Sequence, residues 1–374
     1  MLRALARVNL SAIERNVAHL QRSLAPDTQL CAVVKADGYG HGAAQVARAA
    51  LTGGARWLAV ATAQEALELR RAGITVPLLT MGALSKEELA LALEADADLV
   101  AWDERFLDRV SRAAGEATVR LHVKLDTGMG RLGTREEGQA LAVAERIVAS
   151  APALELAGAM THFATADEDS KFLEFQLNRF RPFVQRLRSL RPGLVAHAAN
   201  SAATLRAPDS HFDLVRCGIA IYGCDPMHED ALARGLEPAL ELSSYVAAVK
   251  RAQPGDSAGY GRRFIAERET WIATVPIGYG DGIRRALSGK CELLCRGARY
   301  PLVGAVSMDN VTFDLGPEPR VSVGDKVTVI GLDGGERQTA EQLARAIGTI
   351  NYEVVCGISA RVPREYHRDG VPAG

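Results

Sequence analysis

L-C-A-V-V-K at Leu30 to Lys35 sets five apolar side chains in a row and ends on a cation. A run this short and this uniformly apolar reads as a strand of a buried parallel sheet. Seven more β-type runs follow, at Trp57–Val60, Pro77–Thr80, Asp98–Ala101, Thr118–Lys124, Leu154–Thr161, Gly193–Ala196 and Asp213–Arg216. Amphipathic stretches separate them. Two of these stretches open with Thr62 and Glu65, and with Ser85 and Glu88, at the capping-box spacing that satisfies the orphan amides of a first helical turn. Eight strands with helical crossovers predict an α/β fold, a TIM-like (β/α)8 barrel, with a doubly wound open sheet as the structural alternative.

Beyond about Gly235 the texture changes. Alternating, turn-punctuated runs appear at Ser244–Ala252, Trp271–Pro276, Glu292–Arg296 and Lys326–Ile330, with one clear helical stretch at Thr339–Ile347. The expected division is therefore a barrel over residues 1–235 and a mainly-β C-terminal domain over 236–374. The leading run Ala4–Leu10 is left over once the barrel has its eight strands, and is expected to pair with the second domain.

Forty-four basic and 45 acidic side chains nearly cancel, and neither sign is concentrated. Nucleic acid and anionic membrane surfaces are thereby poor partners. Six cysteines form no C-x-x-C pair and have no histidine at zinc spacing, which argues against a metal centre or a disulfide framework. No basic leader precedes an apolar segment and no apolar run reaches bilayer length, so a cytoplasmic enzyme is the expectation.

Only seven of the 44 basic residues are lysine, which draws attention to Lys35. A lysine at the carboxyl end of a barrel strand stands on the face where barrel enzymes build their sites, and desolvation there turns an amine into a nucleophile or base. The plainer alternative is a solvated strand end.

V-V-K-A-D-G-Y-G-H-G at Val33–Gly42 closely resembles the cofactor-lysine motif of alanine racemases and their fold-type III relatives. The resemblance continues, in order, through H-V-K-L-D-T-G-M-G-R-L-G (His122–Gly133), T-H-F-A (Thr161–Ala164), H-A-A-N-S (His197–Ser201) and V-R-C-G-I (Val215–Ile219). Lys35, Lys124, His162, His197 with Ser201, and Arg216 then fall on one rim of the expected barrel.

The resemblance implies interconversion of L- and D-alanine with pyridoxal 5'-phosphate (PLP), which Lys35 holds through an imine while acting on one face of the substrate. Tyr39, Ser201, Gly218 and Ile219 are implied near the phosphate, and His162, His197 and Tyr352 are implied in the cofactor pocket. Arg216 is implied opposite the pyridine nitrogen; it only donates hydrogen bonds, which leaves that nitrogen unprotonated and weakens the ring as an electron sink. Tyr260, in G-Y-G at Gly259–Gly261, matches the second acid/base, contributed to the partner's site in a homodimer. Arg131 matches the carboxylate-binding cation, with Met308, Asp309 and Tyr279 beside the substrate.

Lys124 matches a lysine that is carbamylated in several relatives; pairing with Asp126 is the alternative. Bland alternatives also attach to Ser201 as an N-cap, Arg216 as a salt bridge and Tyr260 as a turn residue. Ser307 stands where many relatives carry cysteine, and Gly280 where many carry alanine. Rival activities are a broad-specificity or serine racemase, a fold-type III decarboxylase, and a non-catalytic PLP carrier. D-Alanine for peptidoglycan is the implied product.

Overall fold

The computed structural model describes residues 2–373. The chain divides into two compact units, one of residues 13–38 and 43–221, the other of residues up to 12, 39–42 and 222 onward.

Strand β1, Leu5–Asn9, belongs to the second of these. The first is built on β2 (Gln29–Val33), β3 (Trp57–Val60), β4 (Leu78–Thr80), β5 (Asp98–Ala101), β6 (Val119–Lys124), β7 (Leu154–Met160), β8 (Val195–His197) and β9 (Leu214–Cys217). All pair in parallel, in the order β8-β7-β6-β5-β4-β3-β2-β9. The Asp213 amide donates to the Ala196 carbonyl at 3.1 Å and the Arg216 amide to that of Ala199 at 2.9 Å, which brings the two ends together as a barrel. An open doubly wound sheet would leave those groups unpaired.

The outer helices bury one stripe each. Leu173, Leu177, Phe180, Val184 and Leu187 line one side of the helix Ser170–Leu190, and full burial of each such side chain is worth roughly 1.5–3 kcal/mol. Thr62 and Ser85 form the expected reciprocal caps with Glu65 and Glu88.

In the second unit β1 lies between β10 (Leu240–Tyr245), antiparallel, and a later strand, Arg364–Arg368, parallel. Buried Ala4, Ala6 and Val8 alternate with more exposed neighbours, the period of a strand with one covered face. The run expected as one strand over Ser244–Ala252 is two, β10 and β11 (Ala248–Ala252). Between them the Val246 amide donates to the Asp325 carbonyl and that of Ala247 to Thr274, so the chain changes partners there. A helix at Asn351–Cys356 escaped the sequence reading, because its Val-Val pair favours a strand. It is anchored by the buried Asn351, whose side-chain amide donates to the Asp225 carbonyl at 2.8 Å and to Glu341 at 3.0 Å.

Candidate active site

Immediately after β2 the backbone of Ala36, Asp37 and Gly38 winds left-handed, with φ of 52, 51 and 61°. L-residues pay about 1–2 kcal/mol each for that conformation, so something must hold it. The Gly38 amide donates to Val34, the Ala43 amide to the Asp37 carboxylate at 2.9 Å, and the Ala36 amide to the Glu65 carboxylate at 2.6 Å. Glu65 therefore does two jobs, since it also accepts from the amides of Ala61 and Thr62 as the cap of the next helix. Sequence reasoning saw only the cap. Glu65→Ala is expected to lower stability by about 1–3 kcal/mol, with Glu65→Gln recovering part of it, as read by denaturant midpoints. Equal midpoints for Glu65→Ala and wild type would show that the loop holds itself.

Lys124 closes β6, buried in the barrel mouth. Burial lowers its ammonium pKa to about 8, and the charges of Arg216, Arg131 and Lys35 push the same way, while the Asp126 carboxylate opposes them. Three of the strand-end candidates and Arg131 thus share one electrostatic neighbourhood. No carboxylate among the described residues pairs with Lys124. Asp126 is occupied elsewhere: it accepts from the amides of Gly128 and Gly130 and from Arg135, which hold it below the usual carboxylate range despite the opposing effect of burial.

Arg216, on β9, is buried without an acidic partner among the described residues. Its Nη1 donates to His197 Nδ1 at 2.7 Å, and its Nη2 to the carbonyls of Thr161 at 2.9 Å and Ala198 at 3.0 Å, with His162 Nδ1 at 3.2 Å. Burial lowers its pKa to about 10, so it stays a cation at neutral pH. A structural salt bridge is not what it makes. Burial, then the charge of Arg216, depresses both His162 and His197 well below the ordinary histidine value, so both are neutral. T-H-F-A is braced by a residue the sequence did not reveal, Gln176, which donates to the His162 carbonyl and to Thr127 and accepts from the Ala164 amide.

Ser201 follows β8. Asn200, not Ser201, caps the short helix there, by accepting from the Ala203 amide at 3.0 Å. The Ser201 hydroxyl instead accepts from the Gly218 amide at 2.9 Å, and its own proton is left to donate. Ile219 begins the turn that follows.

The remaining candidates belong to the second unit. Tyr39 lies 4.9 Å from Tyr222 and 6.1 Å from Tyr352, ring centre to ring centre. Tyr260 is 73% exposed on a turn whose flanking glycines, Gly259 and Gly261, have φ of 75 and 70°. A side chain at Gly259 would meet the Ala305 backbone at 3.0 Å. The Tyr279 amide donates to Ser307 and the Gly280 amide to Met308, which joins G-Y-G-D-G to S-M-D-N. Buried Asp281, another residue the sequence reading passed over, locks this pair of loops. Burial opposes its ionisation, but Arg361, the Gly278 amide and Arg3 together hold its carboxyl below the usual range. Arg361 also binds Asp309. A methyl group at Gly280 would stand 3.1 Å from the Arg361 guanidinium and the Met308 carbonyl, so alanine there asks Arg361 to shift slightly.

Among the described residues no helix is long and apolar enough to cross a membrane. Comparison with known proteins then adds independent weight. Residues 8–226 match the family model described as alanine racemase, N-terminal domain, and residues 239–366 match alanine racemase, C-terminal domain. The alanine racemase of Geobacillus kaustophilus is 44% identical over 366 residues, 97% of this chain and 94% of that protein. Alanine racemase 1 of Bacillus subtilis is 40% identical over 368 residues, 98% and 93% of the two chains. Among solved structures, the alanine racemase of Streptomyces lavendulae superposes with a TM-score of 0.93 at 39% identity, covering 98% of this chain and 97% of its own. That of Bacillus anthracis, solved with bound L-Ala-P, gives 0.92 at 40% identity, covering 100% and 97%. With both family models matched in order, and relatives at 40% identity or more covering nearly the whole chain, the chain belongs to the alanine racemases, a family of isomerases.

Proposed function

We propose that this enzyme interconverts L- and D-alanine, with PLP held on Lys35 and a second acid/base, Tyr260, supplied by the other subunit of a homodimer. The observation that carries the reading is the barrel mouth: a lysine at the start of a braced left-handed turn, and a buried arginine that has hydrogen bonds but no counter-charge among the described residues. The donor set suits PLP. The Ser201 hydroxyl, whose proton is left to donate, and the Ile219 amide offer short donors for a phosphate, and the resemblance adds Gly218, Tyr39 and Tyr352 as cofactor-binding residues. Arg216 Nε has no partner among the described residues and is left for the ring nitrogen. His162 and His197, neutral, flank that guanidinium. When bound, PLP supplies an electron sink that acidifies the alanine Cα–H.

The chain's own residues do the rest. Arg216 stays protonated, so it cannot hand a proton to the ring, and the sink stays weak enough to favour simple proton exchange at Cα over side reactions. Arg131 binds the substrate carboxylate, aided by the Met308–Asp309 backbone and by Tyr279. Lys35 and Tyr260 act on opposite faces of Cα. Lys124, buried among cations and partly deprotonated near pH 8, is set up to take carbon dioxide and become an anion that orients Arg131. Incubation with 13C-bicarbonate is then expected to give a carbamate resonance that Lys124→Ala lacks; its absence from wild type would leave Lys124 a plain amine. The enzyme would work in the cytoplasm and supply D-alanine for peptidoglycan.

The test is a visible spectrum of the purified protein and an assay of D-alanine formed from L-alanine. A yellow protein that racemises alanine supports the reading. A yellow protein inert toward alanine removes the substrate assignment, and one colourless even with added PLP removes the whole proposal.

A further inference from the structure

Behind Arg216 the barrel interior holds a line of polar groups that packing alone does not require. His197 Nε2 lies 2.8 Å from His122 Nδ1, and His122 Nε2 lies 3.1 Å from Asp98 Oδ2, while Arg120 Nε donates to Asp98 Oδ1 at 2.5 Å. Asp98, His122, His197 and Arg216 are each at most 2% exposed. The backbone is shaped around the middle member. Between β6 and β7 the register shifts, with Leu121 opposite Leu156 but His122 opposite Gly158. A Cβ at Gly158 would fall 2.1 Å from His122 Nδ1, so only glycine leaves room for the ring.

The sense of every bond is fixed from the two ends. Arginine cannot accept, so His197 Nδ1 is the acceptor and its single proton sits on Nε2. That proton makes His122 Nδ1 an acceptor in turn, so His122 carries its proton on Nε2 and gives it to Asp98, which can only accept. Apolar residues of similar volume in these strands would cost little stability or even gain some, so a buried charge linked through two imidazoles calls for another reason.

We infer that Asp98 and His122 are positioning residues for the reaction: through His197 they fix the place and direction in which Arg216 donates. The inference rests on the reading that Arg216 faces the cofactor ring nitrogen. Without the Asp98 acceptor, His122 is free to take the opposite tautomer and offer Nδ1–H to His197. His197 then turns its own proton toward Arg216, and two donors face each other. Arg216 shifts, and its restraint on the electron sink weakens. The proton taken from the alanine Cα would then be delivered more often to the cofactor carbon than back to Cα, and water would hydrolyse the resulting C=N bond, releasing pyruvate while the amino group stays on the cofactor.

The experiment uses the 15N-histidine-labelled holoenzyme with two substitutions. His122→Gln keeps the polarity, because its amide oxygen accepts from His197 and its NH2 donates to Asp98; His122→Phe keeps the ring and cuts the chain. Nitrogen chemical shifts are expected to report neutral Nε2–H tautomers for His122 and His197 in wild type, and for His197 in His122→Gln. In His122→Phe the His197 signature changes, and pyruvate released per racemisation event rises about tenfold, the effect of one misplaced hydrogen bond, while His122→Gln stays near wild type. If His122→Phe does not fold, Asp98→Asn replaces it: its NH2 facing His122 imposes the reversed tautomer, with the same expected rise. An Nδ1–H or charged His197 in wild type overturns the chain, and equal pyruvate ratios in the Gln and chain-breaking variants overturn its role. The tautomer measurement needs no turnover, so a wild type that fails to racemise alanine counts against the site assignment alone.

Discussion

Lys35→Ala is expected to lose the visible band of the bound cofactor and to racemise alanine at least about 10⁴-fold more slowly, because one substitution removes both the anchor and an acid/base group. The rival that makes this worth measuring is Lys124. It is the other lysine of the barrel mouth, buried, with its ammonium pKa lowered to about 8 and electrostatically coupled to Lys35. By ordinary nucleophilicity Lys124 is a credible imine former. What favours Lys35 is the left-handed turn that begins right after it and is tied by Glu65 and Asp37. If Lys35→Ala stays yellow while Lys124→Ala bleaches, the two roles are exchanged.

Tyr260→Phe carries the next largest effect, a fall in racemisation of about 10²–10⁴-fold, the range for loss of one positioned acid/base. The substitution removes only the hydroxyl of a residue that is 73% exposed, so the fold should hold to within about 0.5 kcal/mol. The informative readout is hydrogen exchange in D2O. With only one face disabled, the variant should still wash out the α-hydrogen of one alanine enantiomer at a rate near wild type while exchanging the other very slowly. A parallel decline for both enantiomers would remove Tyr260 from the chemistry and leave it a structural turn residue. Mixing Tyr260→Phe with Lys35→Ala protein tests the shared-site arrangement: a heterodimer regains one intact site if the two residues come from different subunits.

The barrel was readable because its strands are short apolar runs and its helices announce themselves with caps at Thr62 and Ser85. The rim was readable because short β-type runs stop at or next to charged residues, which puts Lys35, Lys124 and Arg216 at strand ends. What lay beyond reach depends on partners far apart in the chain. Asp98, His122 and His197 sit on three different strands, and nothing local says that their side chains meet in the interior. Glu65 carries a second bond to Ala36 that its capping pattern conceals. Asp281 reads as one more polar residue among glycines until Arg3 and Arg361 are seen to close on it. The V-V pair near Tyr352 has a strand-like local preference, and the buried hydrogen bonds of Asn351 override it.

The place of β1 sets an order of assembly during synthesis. Arg7 pairs with Glu365 across a separation of 358 residues, and Ala6 lies in register with Arg364. A growing chain therefore has every barrel strand available once residue 217 has emerged, while β1, made earlier, must wait with an unpaired edge for Arg364–Arg368. Until then that edge is open to pairing with other chains, so nascent molecules stalled late in translation should be the aggregation-prone species of this enzyme.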